Sequence, residues 1–238
     1  MVLSGIVDNI LDYISPKKCY SCLKEGHYIC PTCLTYFQNF DSLCYVCKWK
    51  SDNFQIHQKC KKASWEPYFD KVIILYHYKS NPLKKLLHDA KYYKIKSIYD
   101  DFTILLSQKL KQNYDISKQE NFLISCPPMH WRRKLYRWYN QSEYLWKLLW
   151  NSLNLDTNFK LLKKRKYTVH QSHLSKTERE KNLDQAFVFN SKFHEQVEGK
   201  SIIIIDDVVS TGSTISECSK VLKQNGAQEV IALIIASD

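Results

Sequence analysis

Residues Asp206-Asp207-Val208-Val209-Ser210-Thr211-Gly212-Ser213-Thr214 place two carboxylates, one glycine and four hydroxylated side chains within nine positions of the 238-residue chain. Such a set suits the capture of a phosphorylated ribose. Backbone N–H groups at the start of a helix, with the positive end of the helix dipole, bind phosphate. Gly212 lets the backbone approach the anion closely. Thr211, Ser213 and Thr214 add hydroxyl donors, while Asp206 and Asp207 suit the 2′ and 3′ hydroxyls of a ribose, directly or through Mg²⁺. The plain alternative is a Ser-Thr helix cap beside two solvated aspartates. The Gly-Lys-Thr ending of a Walker loop is absent.

A second chemistry is written in paired metal ligands. The pairs are Cys19-x-x-Cys22, Cys30-x-x-Cys33, Cys44-x-x-Cys47 and His57-x-x-Cys60, which use seven of the nine cysteines. A CxxC turn brings two sulfurs to one metal, and tetrahedral zinc needs two such turns, so the four pairs make two closed, structural sites. Disulfides compete with this reading, but CxxC spacing fits structural bridges poorly and no signal peptide is expected. The spacing is also wrong for a ferredoxin-type cluster. His57 is the weakest ligand: a lone surface histidine is the alternative, and His27 is a rival. Sequential pairing assigns Cys19, Cys22, Cys30 and Cys33 to one ion and Cys44, Cys47, His57 and Cys60 to the other. An interleaved cross-brace stays open. Either way the region holds too little apolar sequence to fold without metal.

These residues need elements to position them. Residues 1–18 carry Val2, Ile6, Ile10 and Ile14 at helical spacing with Asp8 and Asp12 between them, which predicts an amphipathic helix packed on the body. Residues 19–60 form the double zinc ribbon, 61–71 a linker, and 72–238 a domain of alternating strands and helices around a mostly parallel sheet, an α/β fold. Strands are expected at Val72–Tyr76, Phe122–Cys126, Ser201–Ile205 and Val230–Ile235. The Ile202–Ile205 run predicts a strand buried on both faces. Leu83, Leu86, Leu87 and Ala90 share one helical face, and Ile98, Phe102, Leu105, Leu106 and Leu110 another. Residues 141–153 form a further helix with Leu145, Leu148 and Leu149 buried. A helix from Thr214 to about Gln224 stops at Asn225-Gly226.

The formal charge is +11, with 44% hydrophobic and 25% charged residues. Seven thiolates on two zinc ions lower the charge only to about +8. The surplus fits either an anionic partner or simply a lysine-rich surface. No run reaches the roughly 18 apolar residues of a membrane span, and residues 1–18 lack the basic start and unbroken apolar core of a signal peptide. No membrane insertion and a cytoplasmic protein are therefore expected.

Two basic segments flank the phosphate motif in sequence. Cys126-Pro127-Pro128 leaves a strand and enters His130-Trp131-Arg132-Arg133-Lys134, then Arg137-Trp138-Tyr139-Asn140-Gln141-Ser142. Lys163, Lys164, Arg165 and Lys166 precede His170-Gln171, Leu174, Arg179, Asn182 and Phe187. A solvated basic helix and a flexible surface loop are the alternatives for these two stretches.

The phosphate motif is similar to the fingerprint of type I phosphoribosyltransferases, which bind 5-phosphoribosyl diphosphate (PRPP) with this loop. The ordered set as a whole resembles the ComF family, including ComFC and GntX-like proteins. The resemblance runs from the cysteine pairs through Tyr78, Pro82 and Lys91-Tyr92, Arg132-Arg133, Arg137 and Asn140-Gln141-Ser142. It continues through Gln171, Arg179, Asn182 and Phe187 to the aspartate-rich loop. Trp138 stands where the family often has glycine, and His57 where a cysteine is usual.

The resemblance implies a PRPP site over Asp206–Thr214 with Mg²⁺, and contacts to diphosphate or nucleic acid from Arg132, Arg133, Arg137, Gln141 and Arg179. A mobile flap is implied before the PRPP loop. It also implies a role in handling single-stranded DNA during natural transformation, with a competence helicase and channel proteins as partners. Residues support the DNA arm: Lys79, Lys84, Lys85, Lys91, Lys94 and Lys96 meet one acidic neighbour, Asp89. Trp131, Tyr136, Trp138 and Tyr139 interleave with Arg132, Arg133 and Arg137. Charges along a backbone with stacking rings make a single-strand surface; the alternative is aromatic core. Two functions follow: a PRPP-binding protein with single-stranded DNA as partner, or a Mg²⁺-dependent phosphoribosyltransferase of unknown acceptor. No segment announces itself as a nucleobase hood.

Overall fold

A computed structural model describes residues 16–34, 42–61, 67–77, 81–93, 95, 97–113, 121–130, 140–153, 155–166, 183 and 185–237. The amphipathic helix expected before residue 16 lies outside them. In chain order the elements are α1 (Pro31–Leu34), α2 (Gln58–Lys61), β1 (Lys71–His77), α3 (Asn81–Tyr92), α4 (Ile98–Asn113), β2 (Phe122–Ser125) and α5 (Gln141–Leu153). They continue as β3 (Asp156–Thr157), β4 (Leu162–Lys164), β5 (Phe187–Phe189), α6 (His194–Val197), β6 (Ser201–Val209), α7 (Ser213–Gln224) and β7 (Glu229–Ser237).

Continuous β-branched runs dictate the centre of the molecule. Ile202 to Ile205 are at most 1% exposed and Val230 to Ala236 equally so, because both faces of their sheet are covered. The sheet has five strands in the order β1-β7-β6-β2-β3, and every pairing is parallel. On one face Ile203, Ile205, Ile231 and Leu233 pack with Leu83, Leu86 and Leu87 of α3, Phe102 and Leu106 of α4, and Leu145 and Leu149 of α5. On the other, Ile202, Ile204, Val230 and Ala232 pack with Ile215, Cys218 and Leu222 of α7. This is the expected α/β layering, with helices on both faces of a parallel sheet.

Three departures bear on the site. First, β6 runs through Val209, since β7 stays paired with it to Val208↔Ala236 and Val209↔Ser237. Asp206 to Val209 thus belong to a strand, and the connection to α7 shrinks to Ser210–Gly212. Second, Lys163 and Lys164 sit in β4, which pairs antiparallel with β5 rather than lying in a loop; residues 167–182, where the flap was expected, are outside the described residues. Third, the stretch read as a linker is tied into the body. Phe69 is 1% exposed and strand β1 already begins at Lys71. The Asp70 carboxylate receives Lys61 at 2.5 Å, Lys223 at 2.6 Å and the Val230 N–H at 2.8 Å.

Among the described residues the cysteine region shares the two cores of the sheet. Cys19, Ile29, Cys30 and Cys33 join the α3–α4 side, whereas Cys44, Tyr45 and Ile56 join the α7 side. Leu148 of α5, expected buried, is only partly covered.

Candidate functional site

At the carboxyl end of β6 the chain makes one tight crossing into α7. Gly212 caps that helix with φ 75 and ψ −1, a left-handed conformation that glycine adopts without the Cβ clash other residues meet. A glycine cap has no side chain of its own to accept from the first-turn N–H groups, and the Ser213 N–H turns instead to Thr211 Oγ1 at 3.5 Å. Thr211 Oγ1 and Ser213 Oγ lie 2.8 Å apart across the turn. The position follows the general rule that open parallel sheets bind ligands beyond the carboxyl ends of their strands.

The two aspartates differ because strand residues alternate sides. Asp207 is 4% exposed and engaged by the protein itself. Lys91 Nζ approaches its Oδ2 at 3.1 Å, the Tyr99 hydroxyl donates to the same oxygen at 3.4 Å, and the Val208 N–H donates to Oδ1 at 2.8 Å. Asp206 is partly exposed. The Ser142 hydroxyl donates to its Oδ1 at 2.7 Å. Burial, then the neighbouring Asp207 charge, push the Asp206 carboxyl up to about 6, against the pull of Ser142 and Lys91.

The structure brings Asp206 through Thr214 together with the start of α5. Gln141, 3% exposed, is the first residue of that helix, and its Nε2 is buried with no hydrogen-bond partner. An orphaned buried amide next to the Ser142–Asp206 contact is uncommon in folded proteins. Asn140 fixes the helix entry, its Oδ1 accepting from Ser142 N–H at 3.2 Å and its Nδ2 donating to Pro127 O at 3.3 Å. Arg132, Arg133, Arg137 and Arg179, with Trp131, Tyr136, Trp138 and Tyr139, lie outside the described residues. Lys91, grouped in the sequence with a lysine-rich outer surface, turns inward to Asp207. Lys84 and Lys85 stay exposed on α3.

The metal-ligand pairs gather sequentially. Cys19, Cys22, Cys30 and Cys33 form one group, and Cys44, Cys47, His57 and Cys60 the other, with the ligand atoms of each group within 4.8 Å of one another. Cys22 Sγ and Cys30 Sγ are 3.6 Å apart, and Cys47 Sγ and His57 Nδ1 3.3 Å. Tetrahedral zinc with Zn–S near 2.3 Å places its ligands about 3.6–3.8 Å apart, so both groups could hold such an ion. The interleaved alternative is not what the chain adopts, and His57 rather than His27 completes the second group.

Thiol acidity within the groups fits a cation. Burial opposes ionisation of Cys19, yet backbone donors from Cys30, Cys22 and Ser21 outweigh it and draw the thiol down to about 6. Burial and hydrogen bonds from Cys47 and Cys44 push Cys60 up to about 11. Close-packed sulfurs cannot all ionise together without a positive charge among them.

A family model described as "Phosphoribosyl transferase domain" matches residues 149–238, which contain β6, the turn and α7. Competence protein F of Haemophilus influenzae is 31% identical to this chain over 170 residues, covering 69% of this chain and 72% of its own length. The chain belongs to the ComF family.

Similarity to another protein spans more of the chain: DNA utilization protein YhgH of Escherichia coli is 28% identical over 221 residues, covering 90% of this chain and 94% of its own. Among solved structures, the allosteric regulatory enzyme of purine biosynthesis covers 58% of this chain and 26% of its own at 19% identity, with a TM-score of 0.36. The five-stranded parallel sheet with helices on both faces and the matched domain make this ComF-family chain a type I phosphoribosyltransferase fold with amino-terminal cysteine clusters. Three contacts at the site carry no sequence signal. The Lys91 and Tyr99 approach to Asp207 joins residues more than a hundred positions apart. So does a bond from the Tyr45 hydroxyl to Ser210 O, at 2.8 Å.

Proposed function

We propose that this ComF-family protein binds PRPP at the β6–α7 turn and single-stranded DNA on a separate basic, aromatic surface, acting in the cytoplasm during DNA uptake. The observation that carries the ligand arm is the Gly212-capped start of α7, set directly beyond Asp206 at the carboxyl end of a parallel strand. The α7 N-terminus takes the 5′-phosphate. Asp206, whose carboxylate is partly open, takes the ribose hydroxyls, while Asp207 holds the strand end in place through Lys91 and Tyr99. Asp206 also offers the hard oxygen that Mg²⁺ accompanying a diphosphate prefers. Gln141 Nε2, at the start of the helix whose Ser142 donates to Asp206, is a buried donor with no acceptor within the protein. Arg132, Arg133, Arg137 and Arg179 are assigned to the diphosphate or to nucleic acid. Zinc in the two ligand groups is structural, since four protein ligands leave no open position.

The DNA arm rests on the names of two relatives, competence protein F and DNA utilization protein, and on an exposed edge of α3. Tyr93 is 71% exposed and Tyr92 46%. The His88 ring lies tilted against the Tyr92 ring, centroids 4.5 Å apart, and Lys84 and Lys85 lie exposed on the same helix. Exposed rings beside exposed cations form a stacking platform for unpaired bases. Among the described residues no helix is long and apolar enough to cross a membrane.

The ligand arm is tested by calorimetric titration of wild type and Asp206→Asn with PRPP and Mg²⁺. Loss of about tenfold or more in affinity is expected, the weight of a charge-assisted contact of ~1.5–3 kcal/mol. Equal binding by both proteins rejects the site. Diphosphate release on adding a panel of nitrogen bases would move the conclusion to phosphoribosyl transfer. The DNA arm is tested with fluorescent oligonucleotides. Tyr93→Ala should weaken binding by about 5- to 100-fold, the worth of one stacked base, and affinity should fall steeply with salt. Binding indifferent to both is incompatible with a surface of this kind.

A further inference from the structure

We infer that the second cysteine–histidine group is a brace for the phosphate turn, and that Tyr45 is the positioning residue transmitting its state; this rests on the PRPP reading above. Tyr45 occupies the first interior position of the Cys44-x-x-Cys47 turn. Its ring is 8% exposed and meets Phe69 edge-on at 5.7 Å. Its hydroxyl donates to the carbonyl of Ser210 at 2.8 Å, inside the three-residue connection that leads into α7.

The contact does not stand alone. Tyr68 N–H donates to Ser216 Oγ at 3.2 Å, in the first turn of α7. Lys61, adjacent to Cys60, meets Asp70 at 2.5 Å, and the same carboxylate holds Lys223 in the last turn of α7 at 2.6 Å. The ligand segment thus touches the turn directly through Tyr45, while Tyr68 and Asp70, which follow it in the chain, hold the two ends of α7, Asp70 also receiving Lys61 next to Cys60.

The backbone of Cys44–Lys48 is itself shaped by the ligand group. Lys48 N–H donates to Cys44 O at 2.9 Å, closing the knuckle in which Tyr45 sits. When Cys44, Cys47, His57 and Cys60 converge on one ion, the Tyr45 hydroxyl is held at a fixed height over Ser210. When they are released, the knuckle keeps only its backbone bonds, Lys48 N–H to Cys44 O at 2.9 Å and Cys44 N–H to Trp49 O at 2.8 Å, and loses the four-ligand constraint. Two sites that bias one element are coupled, and the coupling is reciprocal. Ligand at the turn should then hold the knuckle shut as firmly as the knuckle holds the turn.

The experiment uses full-length, zinc-loaded protein, wild type and Tyr45→Phe, and reads two quantities. PRPP affinity is measured by calorimetry. Zinc release is followed with a chromogenic chelator, with and without saturating PRPP. The expected result is a loss of about three- to tenfold in PRPP affinity for Tyr45→Phe, the scale of one hydrogen bond, at unchanged zinc content. In wild type PRPP should slow release of one zinc equivalent of the two by a similar factor, and in Tyr45→Phe it should not. Unchanged affinity in the variant overturns the brace. So does lowered affinity with zinc release indifferent to PRPP, because Tyr45 would then act on the turn alone. A wild type that binds no PRPP overturns the ligand reading and the brace together, whereas a wild type that binds with an indifferent variant overturns only the brace.

Discussion

Asp206 is held between opposing demands. Its carboxyl is partly withdrawn from water, faces the Asp207 charge, and accepts from Ser142. The result is a group pushed up to about 6, so the folded chain keeps a proton that the unfolded chain has already released. In the interval from about 4 to about 6 this residue makes folding stability fall as pH rises, and above that interval its penalty is constant. Asp206→Asn removes the charge and keeps the shape. Its melting temperature relative to wild type is expected to rise between pH 4.5 and pH 7, read by paired thermal melts at each pH. A difference that stays flat across that range would refute the assignment. Asp207, one residue on, makes the contrast. Lys91 and Tyr99 satisfy it, so its charge is used internally, and the proposed ligand contact is assigned to its neighbour.

At the scale of elements, β6, the turn and α7 act as one unit in which the strand aims the helix. Gly212→Ala forces a Cβ into a left-handed backbone at φ 75. It should cost about 1–2 kcal/mol of stability and lower PRPP affinity further by shifting the N–H groups. Urea unfolding and calorimetry on the same protein read both effects, and a stable variant of unaltered affinity would contradict the role given to this turn. Much of this unit is legible in the chain. Four consecutive isoleucines read as a doubly buried strand, and Gly-Ser-Thr after it reads as the opening of a helix, both as the structure has them. What escapes is how far the strand persists. Asp-Asp reads as a loop by propensity, yet pairing with β7 carries β6 through both aspartates. That tertiary pairing overrides local preference and sends the two carboxylates to different surroundings. The metal groups were legible because ligand spacing is local. Their attachment to the body was not, because Asp70, Lys61 and Lys223 meet across long separations in sequence and each looks like an ordinary surface charge.

At the scale of the whole molecule, the cysteine groups are walls of the main core rather than an appendage. Cys30 and Cys33 are buried against the α3–α4 side and Cys44 against the α7 side. Chelation of zinc should therefore lower a single cooperative unfolding transition for the full chain, rather than melt a small unit at low temperature and leave the sheet untouched. Scanning calorimetry with and without chelator checks this; two separated transitions would contradict it. The strand order has a consequence for how the protein is made. β7 lies between β1 and β6, and its Val230 N–H donates to Asp70, so an interior strand of the sheet is translated after both of its neighbours. Among the described strands β1 has β7 as its one neighbour, so it stays unpaired until β7 is made. The two ligand groups, each closed by residues near one another in sequence, face no such delay and can load metal while the rest is still being translated. Assembly of the described sheet thus waits on β7, which must slide between two older strands and join β1 to the rest.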